Sequence, residues 1–468
     1  MLRFVRSWLP ESGIVLLFLF FALRELSSFP AAWADDSLYM IIAKRMAAGQ
    51  GFGISVWGQH WMHPIFPVGP TLFIPIALAI NFVGFSVAAA RIPMVGFLML
   101  TTIAFYILNS NIAGKTVARW STLLLVTLSA FINTGKPVLA EVPSFFFLLS
   151  GLLCLERSLC SSDDARSARY VLATASGIFL GLAAVTKLPS IVALGALPAA
   201  ILWTLFTRRF ADACILGTVL LSSITILFMW FLYQYSVNPH EFLMVYGQYL
   251  HGEALHLTDQ HVTPTLLLRI PYLAFFATLV VGAVGMWEAR RATSRSLLVV
   301  IAGMTFCFVL YFFLREGWYR HVLAAHLLIL PFVPIGMQKL FTTRFAATAL
   351  TVLIAAQGWW QLSYRGSTRG EPGAHAAQLI AENYQDRDLL IEDATVFVRL
   401  PENVHWRLGL SSYPLLEQQA KRSLGLNMSE GRCLPVVRRM TEEDAKVSGQ
   451  TKRELEGSIM LFAPPSDC

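Results

Sequence analysis

Two adjacent carboxylates, Asp35 and Asp36, stand in the run W-A-D-D-S-L-Y, just past the first apolar stretch and ahead of Tyr39. An acidic pair at a membrane surface is costly unless it meets water, a cation or a substrate. One such carboxylate can take the proton of an attacking hydroxyl, while its neighbour holds the acceptor or a metal ion. The plainer role is a helix start, where Asp satisfies free backbone N–H groups. A third acid, Glu141 in L-A-E-V-P, opens another apolar run, a place the helix macrodipole alone would favour. Two cations suit an anionic group. Lys187 in V-T-K-L-P ends an apolar run, where a lysine also snorkels to water. Arg320 in W-Y-R-H starts one, and arginine grips phosphate through two parallel hydrogen bonds. His321 follows it, and His63 precedes Pro64. His63 and His240 are candidate metal ligands or polar contacts, but they lack the spacing of a metal site and His60 and His63 lack any flanking ligand pattern, so no metal or other cofactor is predicted.

The elements that must position these residues are membrane helices. Of 468 residues, 56% are hydrophobic and 14% charged, against roughly 25% charged in soluble domains; the mean hydropathy is +0.58. The chain therefore reads as a polytopic, all-α membrane protein. Its net charge of +7 does not argue for nucleic acid, because Lys and Arg mark cytoplasmic loops in such chains. Arg3 and Arg6 ahead of the first apolar run, with Ala32-Trp33-Ala34 behind it, imitate a cleaved signal, but the many later runs favour a retained helix. A span needs ~20 apolar residues. About eleven windows qualify, near 8–30, 91–109, 117–135, 139–156, 169–187, 189–206, 211–235, 265–287, 297–314, 319–337 and 344–360.

The window 67–83 is shorter and carries Pro67, Pro70 and Pro75; it is expected to lie at the interface rather than cross. With the N-terminus cytoplasmic, that choice puts Lys115, Arg119, Arg157, Arg166, Arg169, Arg208, Arg209, Arg290, Arg291, Arg295, Lys339 and Arg344 on the cytoplasmic side, as the positive-inside rule asks. Asp35, Asp36, His63, Glu141, Lys187, Arg320 and His321 then share the outer face. The expected division is a membrane domain over 1–360 and a small extracytoplasmic α/β domain over 361–468, with a helix near 374–384. Cys433 and Cys468 fall in that tail; in an oxidising compartment they pair or remain free thiols.

The order of these motifs resembles the GT-C superfamily of membrane glycosyltransferases. W-A-D-D-x-x-Y is followed by H-P, A-R-I-P-M-V-G-F-L, L-A-E-V-P at 139–143, G-L-A-A-V-T-K-L-P at 181–189 and W-Y-R-H-V-L-A-A-H at 318–326. The resemblance covers about residues 8–337 and points to the bacterial branch related to protein O-mannosyltransferases and lipid A aminoarabinose transferases. It implies interfacial helices in the first outer loop and a location in the inner (plasma) membrane. It implies inverting transfer of a sugar from a polyprenyl-phosphate donor to an extracytoplasmic acceptor, whether cell-envelope glycan, lipid or protein, with no nucleic acid involved. By motif match Asp35 is the base, Asp36 its neighbour and Glu141 the acceptor-side acid. Lys187 and Arg320 hold the departing phosphate, with Tyr39, His63 and His321 as further substrate contacts. One departure stands out: much of the family has Asp-Glu where this chain has Asp35-Asp36, which shortens the second carboxylate.

Two other functions compete. A secondary transporter would place ionisable residues at mid-membrane on broken helices of repeated halves; here they gather at one face and no halves repeat. A non-catalytic membrane subunit would be indifferent to loss of Asp35.

Overall fold

The computed structural model describes residues 2–61, 68–161, 166–250, 263–291, 293–314, 318–363, 373–403, 405–410, 434–439, 452–456 and 459–462. Helix α1 (Leu2–Leu23) leads to α2 (Ala34–Ala47), a hairpin of β1 (Ile54–Val56) and β2 (Gln59–Trp61), and α3 (Pro70–Val83). The bundle continues with α4 (Val87–Thr127), α5 (Ser129–Gly135), α6 (Glu141–Cys160) and α7 (Arg166–Thr186). A 3₁₀ segment, Leu188–Gly195, joins α8 (Ala196–Phe206), α9 (Phe210–Val237), α10 (Pro239–Leu250) and α11 (Pro264–Leu267). Then follow α12 (Ile270–Ala289), α13 (Arg295–Phe313), α14 (Tyr319–Ile329), α15 (Val333–Leu340) and α16 (Thr343–Ser363).

Side-chain contacts fix which helix ends lie together. Arg91 Nη1 at the start of α4 donates to Leu26 O and Pro30 O. Arg119, later in α4, pairs with Glu11 near the start of α1 (2.7 Å). Residues 24–36, 91, 138–141, 186–187, 241 and 320 therefore share one end of the bundle, the site end. Glu11, Arg119 and the turns near 160, 208, 292 and 341 lie at the far end. Both Arg91 and Val138 reach Asp36, so the chain between them runs away and returns. The reversal sits at Gly114, where φ is 82° and ψ 164°, a conformation glycine tolerates and other residues resist. A straight 41-residue helix would instead stretch about 60 Å.

Eight helical stretches among the described residues are long and apolar enough to cross a membrane, α4 counting once. α3, with 14 residues, reaches about 21 Å, short of the ~30 Å hydrocarbon core. It packs its Leu72, Phe73 and Ile76 face against its neighbours, consistent with the expected interfacial segment.

Apolar residues on all sides of the helices leave some facing lipid and some packed inward. The main core includes Phe105, Phe131, Leu152, Leu216, Phe275, Phe312 and Phe332, all fully buried. Small residues let backbones approach without an aqueous driving force. At the α12–α15 contact a Cβ on Gly285 would strike the Phe332 carbonyl, and one on Gly336 the Val281 carbonyl.

After α16 the chain forms α17 (Ala374–Asn383), β3 (Leu389–Ile391), α18 (Ala394–Phe397), β4 (Trp406–Leu408), β5 (Val436–Arg439), β6 (Lys452–Glu456) and β7 (Ile459–Phe462). The sheet order is β4-β3-β5-β7-β6, with β3 parallel to both β4 and β5 and the β7 pairings antiparallel. The helix expected near 374–384 is α17. This small strand-bearing unit docks on the site end. Met40, Ile42, Ile54 and Val56 share a buried cluster with Val398 and Leu408. Trp57 N donates to Leu408 O (3.1 Å), and Lys44 Nζ to Leu400 O (2.8 Å). Cys433 and Cys468 lie outside the described residues.

A candidate active site at one end of the bundle

Helix α2 begins with Trp33 as its N-cap, and no side chain caps it. The two aspartates of its first turn are used elsewhere. Asp36 is fully buried. Its Oδ2 accepts from Arg91 Nη2 (2.7 Å), with neither side chain exposed, and its Oδ1 accepts from Val138 N (2.7 Å). A buried charge is tolerable only when paired and hydrogen-bonded, and this one is. Through Val138 it ties the strand of chain that leads into Glu141. Lys136, also buried, donates to Arg24 O (2.6 Å) and sits over the Phe29 ring. Segment 136–141 is thus held on the end of α1.

Asp35 points the other way. Its Oδ2 accepts from Arg320 Nη1 at 2.9 Å, with a quarter of its side chain exposed. The Arg320 guanidinium lies over two indoles, 5.2 Å from the Trp33 ring centre and 4.1 Å from that of Trp318. Such cation–π contacts restrain it.

Glu141 opens α6, and its Oε1 accepts from Lys187 Nζ at 2.5 Å. Lys187 stands where α7 stops: its backbone is extended (φ −145°, ψ 110°) before the 3₁₀ segment. Ser144 Oγ donates to Ala183 O (2.8 Å) and meets Ser190 Oγ (2.7 Å), which locks that turn against α6.

The two ion pairs meet. Glu141, Lys187, Arg320 and His321 line one cavity with Ser190 and Tyr311. It is narrow, about 40 Å³, room for a water or so. Glu141 Oε2 and Arg320 Nε are buried there without a hydrogen-bond partner among the described residues. Unmet buried polar atoms cost stability, so a ligand supplying both a donor and acceptors would gain from them. His321 stacks on Trp318 (5.9 Å, 19° between planes) and meets Tyr311 edge-on (5.5 Å).

Of the residues expected at a site, Glu141, Lys187, Arg320 and His321 come together, and Asp35 joins them through Arg320. Asp36 lies behind, both oxygens engaged. Tyr39 turns into the core, where its ring meets Phe73 edge-on (5.8 Å). His63 lies outside the described residues. The sequence reading passed over Arg91 as a partner, and Trp33 and Trp318 as walls for Arg320; an arginine inside A-R-I-P at the mouth of an apolar run was the available sign. No group of three or more His, Cys, Asp or Glu side chains among the described residues is placed to hold a metal ion.

This helical bundle, with acids and cations gathered at one end and a small sheet docked there, shares its fold with solved structures of known proteins. The family model described as dolichyl-phosphate-mannose-protein mannosyltransferase matches residues 69–243. Among solved structures, ArnT from Cupriavidus metallidurans bound to undecaprenyl phosphate superposes with a TM-score of 0.69 at 13% identity, over 98% of each chain. Its apo state gives 0.68 at 15%, over 100% of this chain and 99% of that one. The oligosaccharyltransferase of Archaeoglobus fulgidus gives 0.60 at 14% identity, over 85% of this chain and 62% of its own. No curated protein matches the sequence significantly.

Proposed function

We propose that this chain is an inverting glycosyltransferase that moves a sugar from a polyprenyl-phosphate donor to an acceptor outside the cytosol. The observation that carries this reading is the gathering of two carboxylate–cation pairs, Asp35–Arg320 and Glu141–Lys187, at one end of the bundle, with Glu141, Lys187 and Arg320 lining one cavity. The undecaprenyl phosphate held by ArnT supports a donor of that class.

In the proposed step an acceptor hydroxyl attacks the sugar C1 from the face opposite the phosphate. Its proton passes to Asp35, the new C1–O bond forms, and the bond from C1 to the phosphate oxygen breaks. The electron pair stays on the polyprenyl phosphate, where Lys187 and Arg320 stabilise the growing charge in a site poor in water. As the donor phosphate draws on Arg320, an oxygen of Asp35 is freed to receive the hydroxyl proton. Glu141 holds Lys187 in place at the cavity. Asp36 acts as a positioning residue through Arg91 and Val138, and Tyr39 supports α2 from the core; His321 and His63 are proposed contacts of sugar or acceptor.

The site end would face away from the cytosol, because the basic turns lie at the far end. Eleven crossings follow if α1 and α16 span and α4 counts as two. Residues 361–468 would form the separate outer domain.

The test is transfer by the purified chain in liposomes, with a panel of polyprenyl-phosphate sugars and mass analysis of the products. Asp35→Asn is expected to lose about 10²–10⁴-fold of turnover while still retaining donor. Near-normal turnover in Asp35→Asn removes the base, and a product that keeps the donor's anomeric configuration removes inversion. Uptake of solute without any transfer favours the transporter instead.

A further inference from the structure

A second cavity has its mouth at the far end of the bundle, and its inner end, at Val309 and Ile329, comes near the site cavity at Phe308 and Leu327. An apolar groove of about 970 Å³ runs down the bundle between α12 and α13, backed by Trp203 of α8 and Ile329 of α14. Its wall on α13 extends from Arg295 to Val309, about 21 Å along the helix axis. One leaflet of the hydrocarbon core is about 15 Å deep, so the groove can take a single acyl chain along its length. Trp287 and Phe306 stand beside it, each 65% exposed.

The groove is charged at one end only. Arg290, Arg291 and Arg295 ring its far-end mouth. The Arg290 guanidinium lies over the Trp287 ring, 3.4 Å from its centre. Arg291 pairs with Glu288 (2.7 Å). Arg295 is exposed and makes no hydrogen bond or ion pair among the described residues. Lys339 adds a further positive charge beside Glu288 (3.5 Å). Basic pockets between membrane helices, at the depth of the headgroups, suit anionic lipid phosphates. The mouth lies at the end of the bundle opposite Lys187 and Arg320, about a 20-residue helix, or ~30 Å, away, so the phosphate of a donor seated at the cavity between those residues cannot reach it.

We infer that this groove binds an anionic phospholipid of the leaflet at the far end, its phosphate on Arg290 and Arg295 and one acyl chain laid along α13. The charge at the mouth and the length of the apolar wall both select this occupant. A zwitterionic lipid brings its own cation to a mouth already positive, and a soluble phosphate has nothing to fill the groove.

The test uses the full chain, stripped of lipid in detergent and offered phosphatidylglycerol or phosphatidylcholine with identical acyl chains. Retained lipid is read by native mass spectrometry. Phosphatidylglycerol is expected to be retained preferentially. Arg290→Gln and Arg295→Gln should each weaken its retention about five-fold, and Ala302→Trp, which fills the groove, should abolish it. Glycerol phosphate at the same concentration should not compete. Equal retention of the two lipids, or unchanged retention in the double arginine variant, overturns the inference. So does displacement of phosphatidylglycerol by undecaprenyl phosphate, which would assign the groove to the donor chain. Arg290 caps α12 and Arg295 opens α13, and neither is buried, so the test stands even if Ala302→Trp does not fold.

Discussion

Arg320 offers a single positive charge to Asp35 on one side and, in the proposed reaction, to a phosphate on the other. Two tryptophan rings restrain it while that exchange takes place. Arg320→Ala and Lys187→Ala are therefore expected to raise the KM for a lipid-phosphate donor at least ten-fold, the scale of one lost charge-assisted hydrogen bond (about 1.5–3 kcal/mol). Arg320→Lys should recover little, because an ammonium neither stacks on rings nor bonds in a fork. Donor titrations of turnover check this, and unchanged KM in both alanine variants would take the two cations out of the site. Asp36 predicts a different kind of loss. Asp36→Asn leaves Arg91 charged and buried, and should cost about 3–5 kcal/mol of stability. Asp36→Leu combined with Arg91→Met should cost less than either alone. Thermal unfolding in detergent separates the cases. Lys136 adds a pH signature. Burial, with Arg91 nearby, pushes its ammonium down from 10.5 to about 8. The folded state thus binds fewer protons than the unfolded one between those values, so the penalty is full below about pH 8 and fades as pH rises toward 10.5. Wild type should gain stability over that window relative to Lys136→Met; parallel curves would remove the effect.

Among the elements, the α12–α15 contact is the most exacting. Gly336→Val places a branched side chain against the Val281 carbonyl, a backbone atom that cannot swing aside. About 1–3 kcal/mol of destabilisation is expected, read as a lower unfolding midpoint with no change in donor KM beyond the loss of folded protein. Much of the helical layout was legible because lipid demands long apolar runs and backbone bonds closed within each helix. Lys115 and Arg119 between two such runs signalled the reversal that Gly114 makes. The shortness and prolines of 67–83 signalled α3. What stayed hidden depends on distant partners. Arg91 meets Leu26, Pro30 and Asp36, and Lys136 meets Arg24 O. Three of those contacts are to carbonyls, which leave no trace in side-chain pattern. The placement of Tyr39 was hidden for a related reason: it follows the acids by one turn, and its position on α2 turns its ring toward Phe73.

Across the whole molecule the charge asymmetry and the contact pattern agree. The acids and the two site cations gather at one end, and the basic turns at the other. In a chain whose six cysteines are replaced by serine, Gln50→Cys is expected to react with a membrane-impermeant thiol reagent added to intact cells. Lys115→Cys should react only after the membrane is opened. Labelling in the reverse sense would turn the proposed active site toward the cytosol and exclude an outer acceptor. The site's order along the chain was readable because each candidate stood at the end of an apolar run. Its geometry was not, since Asp35 and Arg320 are 285 residues apart and nothing local says that they touch. The terminal sheet was read only as short strands after a helix, because its pairing joins β3 to β5 across a long stretch of polar chain.

The hydrogen bond from Trp57 to Leu408 also constrains how such proteins can be recombined. It welds the hairpin of the first loop to the last sheet, although the two stand far apart in the chain. A chimera that imports a foreign tail alone would meet a mismatched hairpin, whereas importing both together should keep their shared packing intact.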